Sequence, residues 1–182
     1  IESTGISEPL PIAATFEYCD DNQKGLADVT RLDAMVTVVD AANLLTDFNS
    51  QDLLADRGEV RDDTDQRTIV ELLVDQIEFA DVVVLNKVSA ATSAQLDAAR
   101  LIIRGLNPDA RVIETDLGRV PPDAIFDTGL FDFQRAHQHP LWFKELHGFA
   151  DHVPEDAEYG ITSFVYRARR PFQPAAFNDF LE

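Results

Sequence analysis

Three short stretches put polar residues with chemical potential directly beside apolar runs, where an α/β sheet would present them to a ligand. The first is Ile1-Glu2-Ser3-Thr4-Gly5, a carboxylate followed by small residues and a glycine. Such a set can hold a hydrated Mg²⁺ and bring a backbone N–H close to a phosphate; it can equally be a strand-to-helix turn with Glu2 solvated. The second is Asp40, directly after Val38-Val39. It can face a metal or a nucleotide, but taken alone it reads more simply as a cap for the segment that starts Ala41-Ala42. The third is Leu85-Asn86-Lys87-Val88-Ser89, an amide and an ammonium at the end of a β-branched run. Its plain alternative is a polar loop in which Ser89 caps the next helix. Four histidines, His137, His139, His147 and His152, lie close together further on. His137-Gln138-His139 can hold a soft divalent metal, although a stable site wants three or four converging ligands, and ordinary linker histidines look the same. Trp142 and Phe143 beside them read as packing residues, and Cys19 reads as a small buried residue on a helix face.

For these residues to act together, the chain has to bring the ends of its apolar runs side by side. Ala34 to Val39 and Val82 to Leu85 are nearly continuous apolar runs, and Arg111 to Glu114 is a weaker one. Runs of this kind suit strands buried on both faces of a parallel sheet. Helical periodicity lies between them. Pro9 to Cys19 places Ile12, Phe16 and Cys19 on one face, and Arg67 to Phe79 places Val70, Leu73, Val74 and Ile77 together. Ser93 to Leu106 aligns Leu96, Ala99, Ile103 and Leu106, and Asn107-Pro108 stops that helix. The alternation predicts an α/β fold with a doubly wound, mostly parallel sheet.

Composition bounds the function classes. The 182 residues carry 15 basic and 33 acidic side chains, a net charge of −18. All but two of the acidic residues precede Tyr159, and residues 159–182 are slightly basic. Together with the polar stretch from Gly148 to Glu158, this shift predicts a domain boundary near Tyr159. A pI near 4.4 argues against nonspecific binding to nucleic acid or anionic membrane. No run approaches the ~18–20 apolar residues of a bilayer span. The single cysteine excludes an internal disulfide and a multi-cysteine zinc site within these residues, and fits a cytoplasmic setting. The acidic stretch from Asp52 to Asp65 reads as a solvated face that can also attract cations or meet a client protein. None of the eight glycines starts a G-x-x-x-x-G-K-[ST] or G-x-G-x-x-G pattern. A start at Ile1 without Met, and an end within an apparent helix, are the pattern expected of a piece of a longer protein.

Glu2-Ser3-Thr4-Gly5-Ile6-Ser7-Glu8-Pro9 resembles the E-[ST]-[ST]-G-x-[AS]-[DE]-P segment of CobW-type GTPases, P-loop proteins related to the HypB and UreG nickel-delivery proteins. The resemblance continues through Val38-Val39-Asp40-Ala41, Asp75-Gln76-Ile77-Glu78-Phe79-Ala80-Asp81, Leu85-Asn86-Lys87 and Leu106-Asn107-Pro108-Asp109-Ala110. It reaches Tyr159-Gly160-Ile161-Thr162-Ser163-Phe164-Val165-Tyr166-Arg167, which looks like the first strand of that family's C-terminal domain. The resemblance implies an incomplete P-loop GTPase domain over residues 1–132, a linker over 133–158, and the beginning of an α+β C-terminal domain over 159–182.

The resemblance also implies roles. Glu2 would act on Mg²⁺ through water, and Gly5 would sit where the γ-phosphate is sensed. Asn86 and Lys87 would contact the guanine of GTP, and Thr115, Asp116, Leu117 and Gly118 would close over the base. The family couples GTP binding and hydrolysis to delivery of zinc, cobalt or a related metal to a client metalloprotein, and a homo-oligomer is compatible with it. The family's phosphate loop and C-x-C-C metal motif would lie upstream of Ile1, so these residues alone are expected to be inactive and to bind nucleotide poorly. The family's N-K-x-D, whose carboxylate accepts from two guanine N–H groups, reads Asn86-Lys87-Val88-Ser89 here, and the Ser89 hydroxyl would accept from only one of them. Losing that charged two-point contact should cost about 1–3 kcal/mol of guanine preference, so weakened base discrimination is expected. A different class remains open: a nonhydrolytic metal- or protein-binding module on the same fold.

Overall fold

The computed structural model describes residues 1–3, 5, 7–16, 25–50, 68–137 and 173. Backbone contacts divide the chain into two units, Ile1–His152 and Val153–Glu182, and every element below belongs to the first. The expected boundary near Tyr159, the strand expected to start there, Cys19 and the Asp52–Asp65 stretch lie outside the described residues.

The described chain runs α1 (Pro9–Ala14), β1 (Val36–Asp40), α2 (Leu44–Phe48), α3 (Ile69–Glu78), β2 (Val82–Asn86), α4 (Ser93–Leu106), β3 (Arg111–Glu114) and α5 (Phe133–His137). The three strands form one parallel sheet in the order β1-β2-β3, with Val38 opposite Val84 and Val84 opposite Ile113. This is the expected α/β architecture, with helices between successive parallel strands. Among the described residues, no helix is long and apolar enough to cross a membrane.

β2 is the centre of the sheet because its four apolar residues have little else they can do. Val82, Val83, Val84 and Leu85 are all at most 3% exposed, which matches an unbroken apolar run with both faces covered. β1 is different. Val39 is buried, while Val38 is 66% exposed, so its apolar run overstates its burial. The core joins Val39, Val83 and Leu85 to Leu44 of α2, Ile77 of α3, and Ala99 and Ile103 of α4. Removing a side chain such as Ile103 from such packing costs about 2–5 kcal/mol.

Both long helices begin with a reciprocal cap. Thr68 accepts from Glu71 N–H while Glu71 accepts from Thr68 N–H, and Thr92 and Gln95 repeat the arrangement. The α4 cap is therefore Thr92, not Ser89, which lies in a short 3₁₀ turn, Val88–Ala90. Two expected faces are present only in part: Phe16 and Ile77 are buried as expected, and Leu73 packs on the core. α3 buries Ile69, Leu72 and Ile77 rather than Val70 and Val74. α1 buries Pro9, Pro11, Ala13 and Ala14, and Ile12 is only half-buried. In both helices more apolar residues are present than one inward stripe can hold, so the sequence period alone does not fix which of them are buried. The expected face of α4 is present, with Ala99 and Ile103 fully buried.

Candidate functional site

The carboxyl ends of the three strands bring Asp40, Asn86-Lys87 and the loop after Glu114 together. Ala41 N–H donates to Asn86 O at 2.9 Å, and Thr115 N–H donates to Leu85 O at 2.9 Å, so each loop leaves the sheet tied to its neighbour.

Asp40 ends β1 and is saturated with donors. Its Oδ1 accepts from Ala42 N–H (2.9 Å) and Asn43 N–H (3.3 Å), and its Oδ2 accepts from Asn43 Nδ2 (2.9 Å). The expected capping role is thus present, although it caps the turn before α2 rather than the helix itself. A second role accompanies it: Lys87 Nζ donates to Oδ2 at 2.7 Å. Partial burial opposes the charge on Asp40, but the bonds from Lys87, Ala42 and Asn43 outweigh it and hold the carboxyl below its ordinary value.

Lys87 leaves β2 in the left-handed region, at φ 60° and ψ 35°. For a non-glycine residue that conformation costs energy, and the surrounding bonds hold it there. The Lys87 side chain stays more than half exposed beside Asp40.

The loop after β3 closes over the same corner. Gly118 N–H donates to Asn86 Oδ1 at 3.1 Å, and Ser89 donates to Asp116 Oδ1 through both its N–H (3.0 Å) and its hydroxyl (2.9 Å). Thr115 is buried, and its hydroxyl donates to Arg119 O at 2.9 Å, which closes the loop on itself. Leu117 and Gly118 both have positive φ, and Leu117 is 80% exposed. Asn86, Lys87 and residues 115–118 thus lie together at this corner of the sheet. The tie from Ser89 to Asp116 was not anticipated, because the two are 27 residues apart and share no local pattern.

Glu2 and Gly5 lie on the segment that precedes α1. Glu2 is exposed and accepts no hydrogen bond among the described residues, and a side chain on Gly5 would meet open space. Gln76 of α3 holds this segment: its Nε2 donates to Gly5 O (2.9 Å) and Ser7 O (3.1 Å). His137 ends α5, and its side chain, like His139, His147 and His152, lies outside the described residues. Among the described residues, no group of three or more metal-ligating side chains is gathered.

A cavity of about 160 Å³ lies at the opposite end of the sheet, lined in part by Pro9, Met35, Phe79, Asp81, Phe131 and Arg135. It is below the ~300–1,000 Å³ of ordinary ligand pockets, and Arg135 already pairs with Asp81 inside it.

Comparison with known proteins identifies the family. The description "CobW/HypB/UreG, nucleotide-binding domain" matches residues 1–114. The chain is 45% identical over 183 residues to zinc-regulated GTPase metalloprotein activator 1 of Dictyostelium discoideum, covering all of this chain and 38% of that protein. It is 30% identical over 189 residues to the zinc chaperone CobW of a Sinorhizobium species, covering all of this chain and 50% of that protein. A match to zinc-regulated GTPase metalloprotein activator 1 of Schizosaccharomyces pombe is 35% identical over 120 residues, 66% of this chain and 24% of that protein. The chain thus spans half or less of each of these relatives. No solved structure matches.

Proposed function

The chain belongs to the CobW/HypB/UreG nucleotide-binding family, and from that premise we propose that it forms the base-binding part of a GTP-binding and GTP-hydrolysing zinc chaperone. The observation that supports this best is the corner where Asn86, Lys87 and residues 115–118 meet. Asn86 Oδ1 anchors the closing loop through Gly118 N–H, and the Lys87 ammonium is held by Asp40. An anchored loop beside a partly exposed lysine stem would give an edge and a face against which a flat base can rest. Zinc is the favoured cargo over cobalt because the relatives' printed names carry it.

Glu2 suits a role toward Mg²⁺. It is exposed and carries no competing hydrogen bond among the described residues, so it would hold the ion through water. The ion would neutralise developing charge on the phosphate oxygens, and the chain's own contribution to hydrolysis is mainly positioning. Gln76 contributes here by fixing the carbonyls of Gly5 and Ser7, which would limit how far the γ-phosphate-facing segment moves. A client metalloprotein would receive the metal.

The test is calorimetry with Mg²⁺·GTP on the full-length protein that carries these residues, with phosphate release followed in parallel. Saturable GTP binding and slow phosphate release are expected, with zinc transfer to a client depending on nucleotide. Failure of the full-length protein to bind any nucleoside triphosphate overturns the reading.

A further inference from the structure

We propose that Asp116, from the loop after β3, supplies the carboxylate that selects guanine, in place of the acid missing at Ser89. The proposal rests on the nucleotide reading above and reverses the expectation of weak base discrimination.

The argument starts from how Asp116 is held. Both of its hydrogen bonds from Ser89, N–H at 3.0 Å and Oγ at 2.9 Å, fall on the same oxygen, Oδ1. Oδ2 accepts nothing among the described residues. No cation neutralises the group there either, since Lys87 is paired with Asp40 and no ion pair reaches Asp116 among the described residues. The flanks are fixed as well. Thr115 is bonded to Leu85, Val88 N–H donates to Thr115 O at 3.3 Å, and Gly118 is bonded to Asn86. Asp116 is therefore a carboxylate locked to the Asn-Lys turn by bonds on both sides of it, with one oxygen and its charge unused. Among the described residues, Glu71 and Asp132 also accept on one oxygen only, but each caps its own helix start from within three residues, whereas Asp116 is held by a residue 27 positions away at the Asn-Lys turn. Asp40 and Asp33 each have both oxygens occupied.

The chemistry fits a donor-rich base edge. Guanine presents N1–H and the 2-amino group side by side, two donors pointing the same way. Oδ2 of Asp116 offers a charged acceptor, and the Ser89 hydroxyl, having donated its proton to Oδ1, keeps lone pairs for a second contact. Adenine presents an acceptor and a C–H at the corresponding edge and would leave the carboxylate unmatched. Splitting the contact between Ser89 and Asp116 thus preserves a charged two-acceptor surface without an acid in the N-K-x-D position.

The bonds from Ser89 also define the test. In Asp116→Asn, Ser89 would still donate to Oδ1, which directs the amide nitrogen to where Oδ2 was. An acceptor becomes a donor, which suits xanthine, whose C2 bears a carbonyl. In the full-length protein, GTP, XTP and ATP would be compared by competition binding with Mg²⁺ present. The wild type should prefer GTP over the other two by about a hundredfold. Asp116→Asn should weaken GTP by a similar factor and bind XTP more tightly than GTP. Adding Ser89→Asp to that variant restores an acid in the N-K-x-D position and should restore GTP preference. A wild type that binds nucleotide without regard to base, an Asp116→Asn protein that still prefers GTP over XTP, or a double variant that does not regain GTP overturns the proposal and leaves the nucleotide reading standing. A wild type that binds none of the three overturns both.

Discussion

The two ends of the same three-stranded sheet are both polar, yet they handle their polar groups in opposite ways. At the carboxyl end, Lys87 is more than half exposed and Asp116 keeps an unused oxygen. At the amino end, Asp81, Asp33 and Asn107 are used to close the fold. Asp81 is 4% exposed at its side chain, accepts from Met35 N–H at 2.9 Å and pairs with Arg135 at 2.6 Å. Asp33 accepts from Thr128 N–H at 2.8 Å and Gly129 N–H at 2.7 Å, which pins the segment before α5 to the segment before β1. Asn107 Nδ2 reaches three carbonyls, Ile77, Glu78 and Ala80, between 2.8 and 3.0 Å, while its Oδ1 accepts from Ala110 N–H. Polar residues with every bond made inside the chain are structural, and those with capacity left over are the ones to offer a ligand.

The strongest way to break that division is at Asn107. Asn107→Ala removes the donor for three carbonyls at the end of α3 and the acceptor for Ala110 N–H. It should destabilise the fold by about 3 kcal/mol, read as a lower denaturant midpoint with unchanged slope. GTP affinity, measured well below the new midpoint, should hold. A stable Asn107→Ala protein with weakened nucleotide binding would erase the distinction between the two ends.

Arg135→Ala comes next, at about 2 kcal/mol, because it leaves a nearly buried carboxylate without its cation while Met35 N–H remains. Its effect carries a pH signature. Burial pushes the Asp81 carboxyl above its ordinary value, against the pull of Met35 and Arg135. The folded state therefore holds the proton more tightly than the unfolded chain, and Asp81 lowers stability as pH rises from about 3.8 through the raised value. Without Arg135 that penalty grows, so the variant should be weakest at neutral pH and approach wild type in acid. Asp33 runs the other way. Hydrogen bonds from Thr128 and Gly129 hold its carboxyl below the ordinary value, so its contribution is present above that value and is lost as pH falls through the lower, folded one. Unfolding midpoints measured across the acid range on Arg135→Ala and Asp33→Asn should diverge in slope.

How much of this the sequence could show follows from the kind of bond involved. β2 was legible because a strand buried on both faces needs an unbroken apolar run, and α4 because fourteen residues carry a clear period between Thr92 and Asn107. The five-residue α2 carries too short a pattern to register. The Asn86-Lys87 corner was legible because its residues sit in one motif. The tie from Ser89 to Asp116, Gln76 and the structural role of Asn107 depend on side chains reaching segments 27 to 71 residues away, and such bonds leave no local spacing. Ser89 was the instructive case. Read alone, it signals a lost acid; read with Asp116, it is the residue that holds an acid in place.

A smaller effect separates support from contact within the carboxyl end. Asp40→Asn keeps an acceptor for Ala42 and Asn43 but removes the charge that holds Lys87. An exposed pair of this kind is worth about 0.5–1 kcal/mol, so GTP should weaken about threefold in a binding titration, with little change in the unfolding midpoint. A loss of stability instead would move Asp40 to the structural class.

The smallest effect is expected at the pair that looks strongest on geometry alone. Arg100 meets Glu114 with two bonds, 2.7 and 2.8 Å, and adds a third to Asp97 at 2.9 Å. It ties α4 to the residue just before Thr115, so it could be read as a brace for the closing loop. Its side chains are 41%, 37% and 70% exposed, however, and water competes for every bond. The loop is already fixed by backbone bonds from Thr115 and Val88 and by Gly118 on Asn86. Glu114→Gln should therefore cost below about 1 kcal/mol, less at high salt, and leave the order GTP over XTP unchanged. Arg100 holds the Glu114 carboxyl below its ordinary value, so even this small contribution, present above about 4.5, should be lost as pH falls through the lower, folded value. A Glu114→Gln protein whose base preference shifts would mean that Asp116 is held from α4 as well as from Ser89, and that the loop's support is wider than its own hydrogen bonds.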